Sequence, residues 1–216
     1  MNKILVVVDM QNDFIDGVLG TDEAKKIVPL VADKICNWDG PVVCTMDIHS
    51  EDDPEFKLYP KHCVEKTDGC KCNNEIKQAL TIKSLGEDEE KNPVIVFDKN
   101  TFGCDKIMFV DLYLADGEND KIEDIEFVGL CTDLCVISNV LMFKAFEPAV
   151  NISVDASCCA GTNPEMHDMA LRIMKGHGVD ILNYEFDKTD NKLRLEFEPI
   201  NMIDTPEDFY DLVRGK

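Results

Sequence analysis

Short apolar runs alternate along this chain with segments in which apolar residues recur at helical spacing. The first run, residues 4–8, is continuous and β-branched, which is typical of a strand buried on both faces. Five further strands are predicted at residues 41–46, 93–97, 125–128, 149–154 and 179–182. Helices are predicted from about residue 27 to 35 and at residues 75–85, 107–114, 136–146 and 163–174. This alternation predicts an α/β fold with three layers, α/β/α, around a mainly parallel central sheet.

No repeat or flexible linker interrupts the pattern, so we expect a single domain over residues 1–216. Pro29 lacks a backbone N–H and is therefore expected in the first turn of the first helix, not in its interior. A strand-like run at 193–197 and a capped helix at 205–213 are expected in a C-terminal extension, residues 184–216, packed on the same domain.

The composition excludes several classes of partner. A formal net charge of -21 predicts repulsion from nucleic acid and from anionic membranes. No apolar run approaches the roughly 18 residues that span a membrane, and the strand pattern begins where a signal peptide would lie. We therefore expect a cytoplasmic protein whose ten cysteines mostly fill the core, Cys158 and Cys159 among them. His167 and His177 are expected on the surface.

Four chemically active residues follow predicted strands. Asp9, Asp47, Lys99 and Cys135 each lie at or just beyond a strand end. Because ligands of parallel α/β sheets bind at the carboxyl ends of the strands, these residues predict one site at one edge.

The stretch 127–136 carries the strongest candidate. Cys135 lies where a strand and a turn lead into a predicted helix, whose free amides favour a thiolate and can bind an oxyanion. We interpret Cys135 as a nucleophile, with Asp9 as its base and Lys99 paired with both. The alternatives are a cysteine on the inner face of a helix, a loop-capping aspartate and a solvated lysine.

A second pattern predicts a metal site. Asp47 and His49 are alternate residues of an extended segment and face one side of it, and His62 follows in the same long loop. Carboxylate and imidazole ligands suit zinc, iron or manganese, and the sequence does not choose among them. An alternative is a structural zinc site in a non-catalytic metal-binding protein. Its ligands would be His62, Cys63, Cys70 and Cys72.

Three segments together resemble the isochorismatase-like cysteine hydrolases. They are residues 8–14 (VDMQNDF), 97–99 (FDK) and 129–136 (GLCTDLCV), in the order and spacing of that superfamily. The resemblance runs from about residue 3 to 183. Within the superfamily the chain is most similar to nicotinamidases, because it has the Asp-x-His pair, a Tyr-Pro-x-His-Cys-Val segment at 59–64 and a Thr-x-Gly at 67–69.

The resemblance implies an isochorismatase-like, Rossmann-like fold and a catalytic triad of Asp9, Lys99 and Cys135. It also implies a cis peptide bond before Cys131, with the amides of Cys131 and Cys135 forming the oxyanion hole.

The resemblance further implies one divalent metal ion, zinc being the first expectation and iron or manganese the alternatives. The implied ligands are Asp47, His49, Glu55 and His62. Glu51, Asp52 and Asp53 are nearby alternatives to Glu55. Phe14 and Tyr59 are expected to line the substrate pocket. Residues 100–103 depart from the family pattern, which leaves the pocket shape open.

The implied activity is the metal-dependent hydrolysis of a small-molecule amide. Nicotinamide, giving nicotinate and ammonia for NAD salvage, is the leading substrate. The nearest alternative is another isochorismatase-like hydrolase acting on a different small amide or on isochorismate. The sequence leaves the oligomeric state open, a homo-oligomer included.

Overall fold

A computed structural model describes residues 3–86, 93–110 and 122–187. Most of these belong to the first of two units of the chain, residues 1–184, and the second unit comprises residues 185–216. The expected strand at 193–197 and helix at 205–213 lie outside the described residues, as does the packing of the extension.

Six parallel strands form one sheet in the order β3-β2-β1-β4-β5-β6. The strands are β1 (Lys3–Val8), β2 (Val42–Asp47), β3 (Val94–Lys99), β4 (Asp124–Leu130), β5 (Asn151–Ala160) and β6 (Asp180–Leu182). The helices are α1 (Asn12–Ile15), α2 (Asp22–Asn37), α3 (Asn74–Ser84), α4 (Ile137–Phe146) and α5 (Pro164–Gly176). Two 3₁₀ turns (Pro54–Lys57 and Asp105–Phe109) and a π-helical turn (Thr132–Val136) complete the described elements. The α/β prediction is confirmed.

Helices cover both faces of the sheet, because alternate strand residues point to opposite sides. On one face, Leu5 and Val7 of β1 pack in a core with buried residues of α2 and α3, such as Val31 and Ile76. The buried side chains of α4 and α5, Val140 and Leu171 among them, lie outside that cluster. None of the described helices is long and apolar enough to cross a membrane.

The prediction for Pro29 was wrong, since this residue lies inside α2. The helix begins much earlier, where the Thr21 side chain accepts a hydrogen bond of 3.0 Å from the Ala24 amide. An internal proline costs about 3 kcal/mol. The buried stripe of α2, which includes Ile27 and Ile35, offsets that cost by packing on the sheet.

Two other boundaries differ from expectation. Strand β5 continues six residues beyond Val154, through Asp155 and the buried Cys158 and Cys159. The sequence pattern stopped at Val154 because polar residues follow it, although the ladder with β4 resumes after an irregularity. The helix expected at 107–114 is a 3₁₀ turn over Asp105–Phe109, and residues 111–114 lie outside the described part.

The chain order reverses between β1 and β4, which is the position where sheets of this kind bind ligands. These two strands approach closely at Gly129, which pairs with Val8 and has φ +117. A Cβ atom at residue 129 would lie 2.2 Å from the Val8 carbonyl oxygen. Glycine is therefore required where the strands deliver Asp9 and the cysteine turn to one edge.

Replacing Gly129 by alanine is expected to lower the free energy of unfolding by at least about 2 kcal/mol, because it combines a clash with a disfavoured φ. The matched control is Gly176→Ala at the end of α5, where an added Cβ meets no atom within 4 Å. We expect the control to change stability by less than about 1 kcal/mol. Urea denaturation of both variants measures this, and equal effects would contradict the role given to Gly129.

Candidate active site

The four strand-end residues meet at one edge of the sheet. Lys99 is at the centre, with its Nζ 2.7 Å from Asp9 Oδ2 and 3.1 Å from Asp47 Oδ1. The Cys135 Sγ accepts from the same ammonium at 3.7 Å. All four side chains are buried. The structure thus brings together the residues that the sequence placed at a common edge.

Asp9 is held in a sheltered position directly after β1. Its backbone has φ 48, and its Oδ1 accepts a hydrogen bond of 2.7 Å from the Thr45 hydroxyl. Burial raises the pKa of Asp9, although the Lys99 ammonium opposes this. Apart from the ion pair with Lys99, Oδ2 accepts no hydrogen bond from a described residue. Besides the Lys99 ammonium, this oxygen can still accept a proton, which a general base requires.

Cys135 lies in the π-helical turn and not at the first turn of α4. Burial raises its pKa well above the usual value, and the nearby Asp9 carboxylate raises it further. Helix amides favour a thiolate, whereas loss of solvent and the neighbouring negative charge favour the thiol. The resting group is a thiol that needs a base at the moment of attack. The Leu130–Cys131 peptide bond is cis, as the resemblance implied.

The charges of this cluster compensate one another. Burial alone would lower the pKa of Lys99, but the carboxylates of Asp9 and Asp47 raise it, together with Cys135. Burial would likewise raise the pKa of Asp47, but a hydrogen bond from His62 and the charge of Lys99 lower it. Lys99 therefore remains an ammonium ion, and Asp47 remains a carboxylate.

The predicted metal ligands gather around the other oxygen of Asp47. Its Oδ2 lies 2.9 Å from His49 Nε2 and 3.4 Å from His62 Nε2. Glu55 Oε1 is 3.8 Å from His62 Nε2. Ligand atoms of Asp47, His49 and His62 all lie within 4.8 Å of one another, as do those of His49, Asp53 and Glu55.

Two features of the histidines fit a metal ion. His62 Nδ1 lies 2.8 Å from the Pro60 carbonyl oxygen and donates to it, which fixes the ring with Nε2 on the side of Asp47. His49 is fully buried, and its Nδ1 has no aligned hydrogen bond although Asp53 Oδ2 is 3.0 Å away. Buried imidazoles with carboxylates suit a divalent transition metal. Among the rivals, Asp53 alone joins this group, while Glu51 and Asp52 are exposed.

The described residues do not form the alternative zinc site of His62, Cys63, Cys70 and Cys72. No cysteine belongs to a candidate metal group in the described part of the chain. Cys63 is buried with its amide donating to Asp13 Oδ2 at 2.7 Å, and Cys70 Sγ faces the Asp47 carbonyl oxygen at 3.7 Å. His62 turns instead toward Asp47, because its ring nitrogen has a carboxylate partner there.

Aromatic rings border the site on two sides. Phe14 is buried against the His62 ring, with 5.4 Å between centroids, so it packs in the core whether or not it meets a substrate. Phe56, which the sequence reading did not single out, contacts the His49 and His62 rings. Tyr59 meets Phe102 edge to face at 5.9 Å. The pocket roles of Phe14 and Tyr59 stay predictions.

A cavity of about 420 Å³ opens beside Lys99 and is lined by Ile48, Glu65, Asp98, Lys99 and Asn100. A groove of about 600 Å³ between α3 and strands β2 and β3 includes none of the triad residues. Of these two cavities, the smaller one includes a triad residue, Lys99, in its lining, whereas Asp9, Asp47 and Cys135 line neither.

Two further residues of the motif 8–14, Gln11 and Asp13, bind backbone groups of the segment that carries the predicted metal ligands. Gln11 Nε2 donates to the carbonyl oxygens of Asp47 at 2.7 Å and Cys70 at 2.8 Å, and its Oε1 accepts from the Asp47 amide at 2.7 Å. Asp13 accepts from the Cys63 amide, next to His62. In the sequence, Gln11 and Asp13 are marked only by their place in the motif. The fold shows that they hold the loop that carries His49 and His62 (the metal loop, residues 47–70) against the end of β1.

His167 was predicted to lie on the surface, and this prediction was wrong. It is half-buried, and the Thr132 hydroxyl lies 2.8 Å from its Nδ1. Burial lowers its pKa, so the neutral ring can accept this hydrogen bond. His167 therefore supports the turn that carries Cys135 from the side of α5. His177 is exposed, as expected.

Comparison with known families gives one match, in which residues 3–185 fit the model described as the isochorismatase domain. Comparison with curated protein sequences found no match.

Solved structures share this fold. A nicotinamidase/pyrazinamidase from Bacillus subtilis is 26% identical over 84% of this chain and 99% of its own, with a TM-score of 0.67. An N-carbamoylsarcosine amidase from Thermoplasma acidophilum is 27% identical over 84% and 95%, with a TM-score of 0.61. A pyrazinamidase of Pyrococcus horikoshii in complex with zinc is 24% identical over 85% and 100%, with a TM-score of 0.67.

The raised pKa of Cys135 predicts slow reaction with alkylating reagents near neutral pH. Since the thiol stays protonated below its pKa, alkylation of Cys135 by iodoacetamide should be slow at pH 7 and rise through pH 9 without a plateau. The exposed Cys36 is the internal reference and should be labelled faster. Peptide mass spectrometry after timed labelling measures both rates, and a plateau for Cys135 below pH 8 would show a resting thiolate instead.

Proposed function

Because the chain belongs to the isochorismatase domain family, we propose that it is a metal-dependent cysteine amidohydrolase that converts nicotinamide to nicotinate and ammonia. The observation that carries this proposal is the position of Asp47. One of its oxygens pairs with Lys99 of the triad, and the other faces His49 and His62. The triad lysine and a candidate metal site thus share one carboxylate, which supports hydrolysis of an amide attached to a metal-binding ring.

In the acylation step, Asp9 removes the proton from the Cys135 thiol as the sulfur attacks the amide carbon. Lys99 holds Asp9 and compensates the charge that remains in the buried cluster. The backbone amides of Cys131 and Cys135 donate hydrogen bonds to the oxyanion of the tetrahedral intermediate. Asp9 then gives its proton to the amide nitrogen, the carbon–nitrogen bond breaks, and ammonia leaves a thioester on Cys135.

In the deacylation step, Asp9 removes a proton from a water molecule, which attacks the thioester carbon. The carbon–sulfur bond breaks, the carboxylic acid leaves, and the proton returns to the Cys135 sulfur. The cycle therefore uses one base twice, which suits a carboxylate whose pKa is raised by burial.

The metal ligands would be Asp47, His49, His62 and Glu55, the last being the most exposed of the four. When bound, a divalent ion, zinc being the first to test, supplies a Lewis acid for the pyridine nitrogen and so orients the ring. The aromatic side chains of Phe14 and Tyr59 would enclose the flat ring.

We place the reaction in NAD salvage and in the cytoplasm. All ten cysteines are free thiols, and a reducing compartment keeps them so. The acidic surface is compatible with a small neutral amide as substrate and with no nucleic acid partner.

A second candidate is hydrolysis of a different small amide on the same scaffold. The similarity to an N-carbamoylsarcosine amidase favours it, as does the departure at residues 100–103 from the nicotinamidase pattern. This candidate uses the same triad, so the substrate alone separates the two.

Purified protein is expected to release ammonia from nicotinamide, to lose most of this activity after exhaustive treatment with a chelator, and to regain it when zinc, iron or manganese is returned. The loss follows because the ring would lose its orienting contact at His49 and His62. Ammonia release from nicotinamide and from N-carbamoylsarcosine is measured with a coupled dehydrogenase assay. Isochorismate contains no nitrogen, so its hydrolysis is followed in parallel by chromatography of its products.

The control for this experiment is Cys135→Ala. It should lose hydrolysis at least a thousandfold while it binds as much metal as the wild type, because no metal ligand changes. A folded, metal-loaded wild type that leaves nicotinamide intact would overturn the substrate assignment, and chelator-resistant turnover would overturn the metal dependence.

A further inference from the structure

Asn139 is a buried polar residue of α4 that the reaction scheme leaves without a role. Its side chain is 1% exposed and makes three hydrogen bonds to backbone groups. Nδ2 donates to the Cys135 carbonyl oxygen at 2.7 Å and to the Phe102 carbonyl oxygen at 3.3 Å. Oδ1 accepts from the Cys104 amide at 2.7 Å. One amide group thus joins the nucleophile's own residue to the loop that follows Lys99.

The loop 100–104 packs closely against α4 where Asn139 holds it. A Cβ atom at Gly103 would lie 3.0 Å from Met142 Cε and 4.0 Å from the Ser138 carbonyl oxygen. The close packing at Gly103 and the three hydrogen bonds of Asn139 therefore hold the same loop against α4. In this position of the loop, the Phe102 ring contacts the Tyr59 ring edge to face.

We propose that Asn139 is a positioning residue that fixes loop 100–104, and with it the aromatic wall formed by Phe102 and Tyr59, relative to Cys135. This inference deepens the proposed function and rests on it for the substrate that the wall contacts. It also accounts for the departure of residues 100–103 from the family pattern: the chain holds a different loop in place by an anchor on α4, the helix that follows the Cys135 turn. Asn139 acts through Phe102 and does not itself touch the reacting atoms.

Two variants separate the contacts of Asn139. In Asn139→Ser the hydroxyl still reaches the Cys135 carbonyl one turn back, but it is too short to reach the loop. In Asn139→Leu the volume is kept and all three hydrogen bonds are lost. Ser138→Ala is the matched control, because Ser138 is the neighbouring polar residue of α4 and its hydroxyl bonds no described residue.

Amide hydrogen exchange tests the anchor without any substrate. Exchange in the peptide covering 100–104 should be at least tenfold faster in Asn139→Ser than in the wild type or Ser138→Ala, because the Cys104 amide loses its acceptor. Unchanged exchange in this peptide overturns the inference. A wild type that is inactive on nicotinamide overturns the proposed function instead, and the exchange result still decides on the anchor.

Kinetics then test what the anchor does. Asn139→Ser should raise KM for nicotinamide about tenfold with kcat changed less than threefold, since Cys135 keeps its backbone contact. In a double-mutant cycle with Phe102→Leu, the double variant should be no worse than Phe102→Leu alone, because both changes remove the same wall. Additive effects, or a lower melting temperature with unchanged KM, would show a structural role only and overturn the inference.

Discussion

The candidate site depends on one buried ion pair between neighbouring strands. Asp47 and Lys99 are register partners at the ends of β2 and β3, so the sheet itself sets their distance. Removing such charges from water costs several kcal/mol per ion, and the cost is offset only if each charge meets good partners. Lys99 therefore has two carboxylates and a sulfur around it, and Asp47 has an ammonium on one side and two imidazoles on the other. Breaking this pair would leave an unpaired charge in the interior and would disturb both halves of the site.

The rest of the fold serves to bring β1 and β4 to this pair. Gly129 lets the two strands approach, which places Asp9 and Cys135 beside the Lys99 ammonium. The motif 8–14 then fastens the metal loop, because Gln11 bonds both backbone groups of Asp47 and Asp13 bonds the Cys63 amide. The base and the supports of the metal ligands are thus neighbours in sequence, and one short segment carries information for both functions.

Much of this arrangement could be predicted from the sequence, because the strand pattern and the residues that end each strand are local features. Asp9, Asp47, Lys99 and Cys135 needed only the rule that parallel strands present their ends at one edge. Pro29 could not be placed, since its position inside α2 reflects packing on the sheet that outweighs a local preference. The rise in the pKa of Cys135 could not be predicted for a similar reason: burial and Asp9 act through space, whereas the helix amides follow from the order of elements in the chain. Gln11 and Asn139 were missed because a side chain that bonds backbone groups carries no pattern of its own. His167 was wrongly placed on the surface because its contact with the Thr132 hydroxyl joins residues far apart in the chain.

The central claim is that Cys135 takes the acyl group of nicotinamide, and the most direct test is to trap that intermediate. Protein mixed with nicotinamide is quenched in acid within milliseconds to seconds, digested, and analysed by mass spectrometry. The account predicts a pyridine-carbonyl group on the peptide that carries Cys135, with no such group in Cys135→Ala. Turnover of nicotinamide without this adduct at any quench time, or with the adduct on another of the ten cysteines, would contradict it.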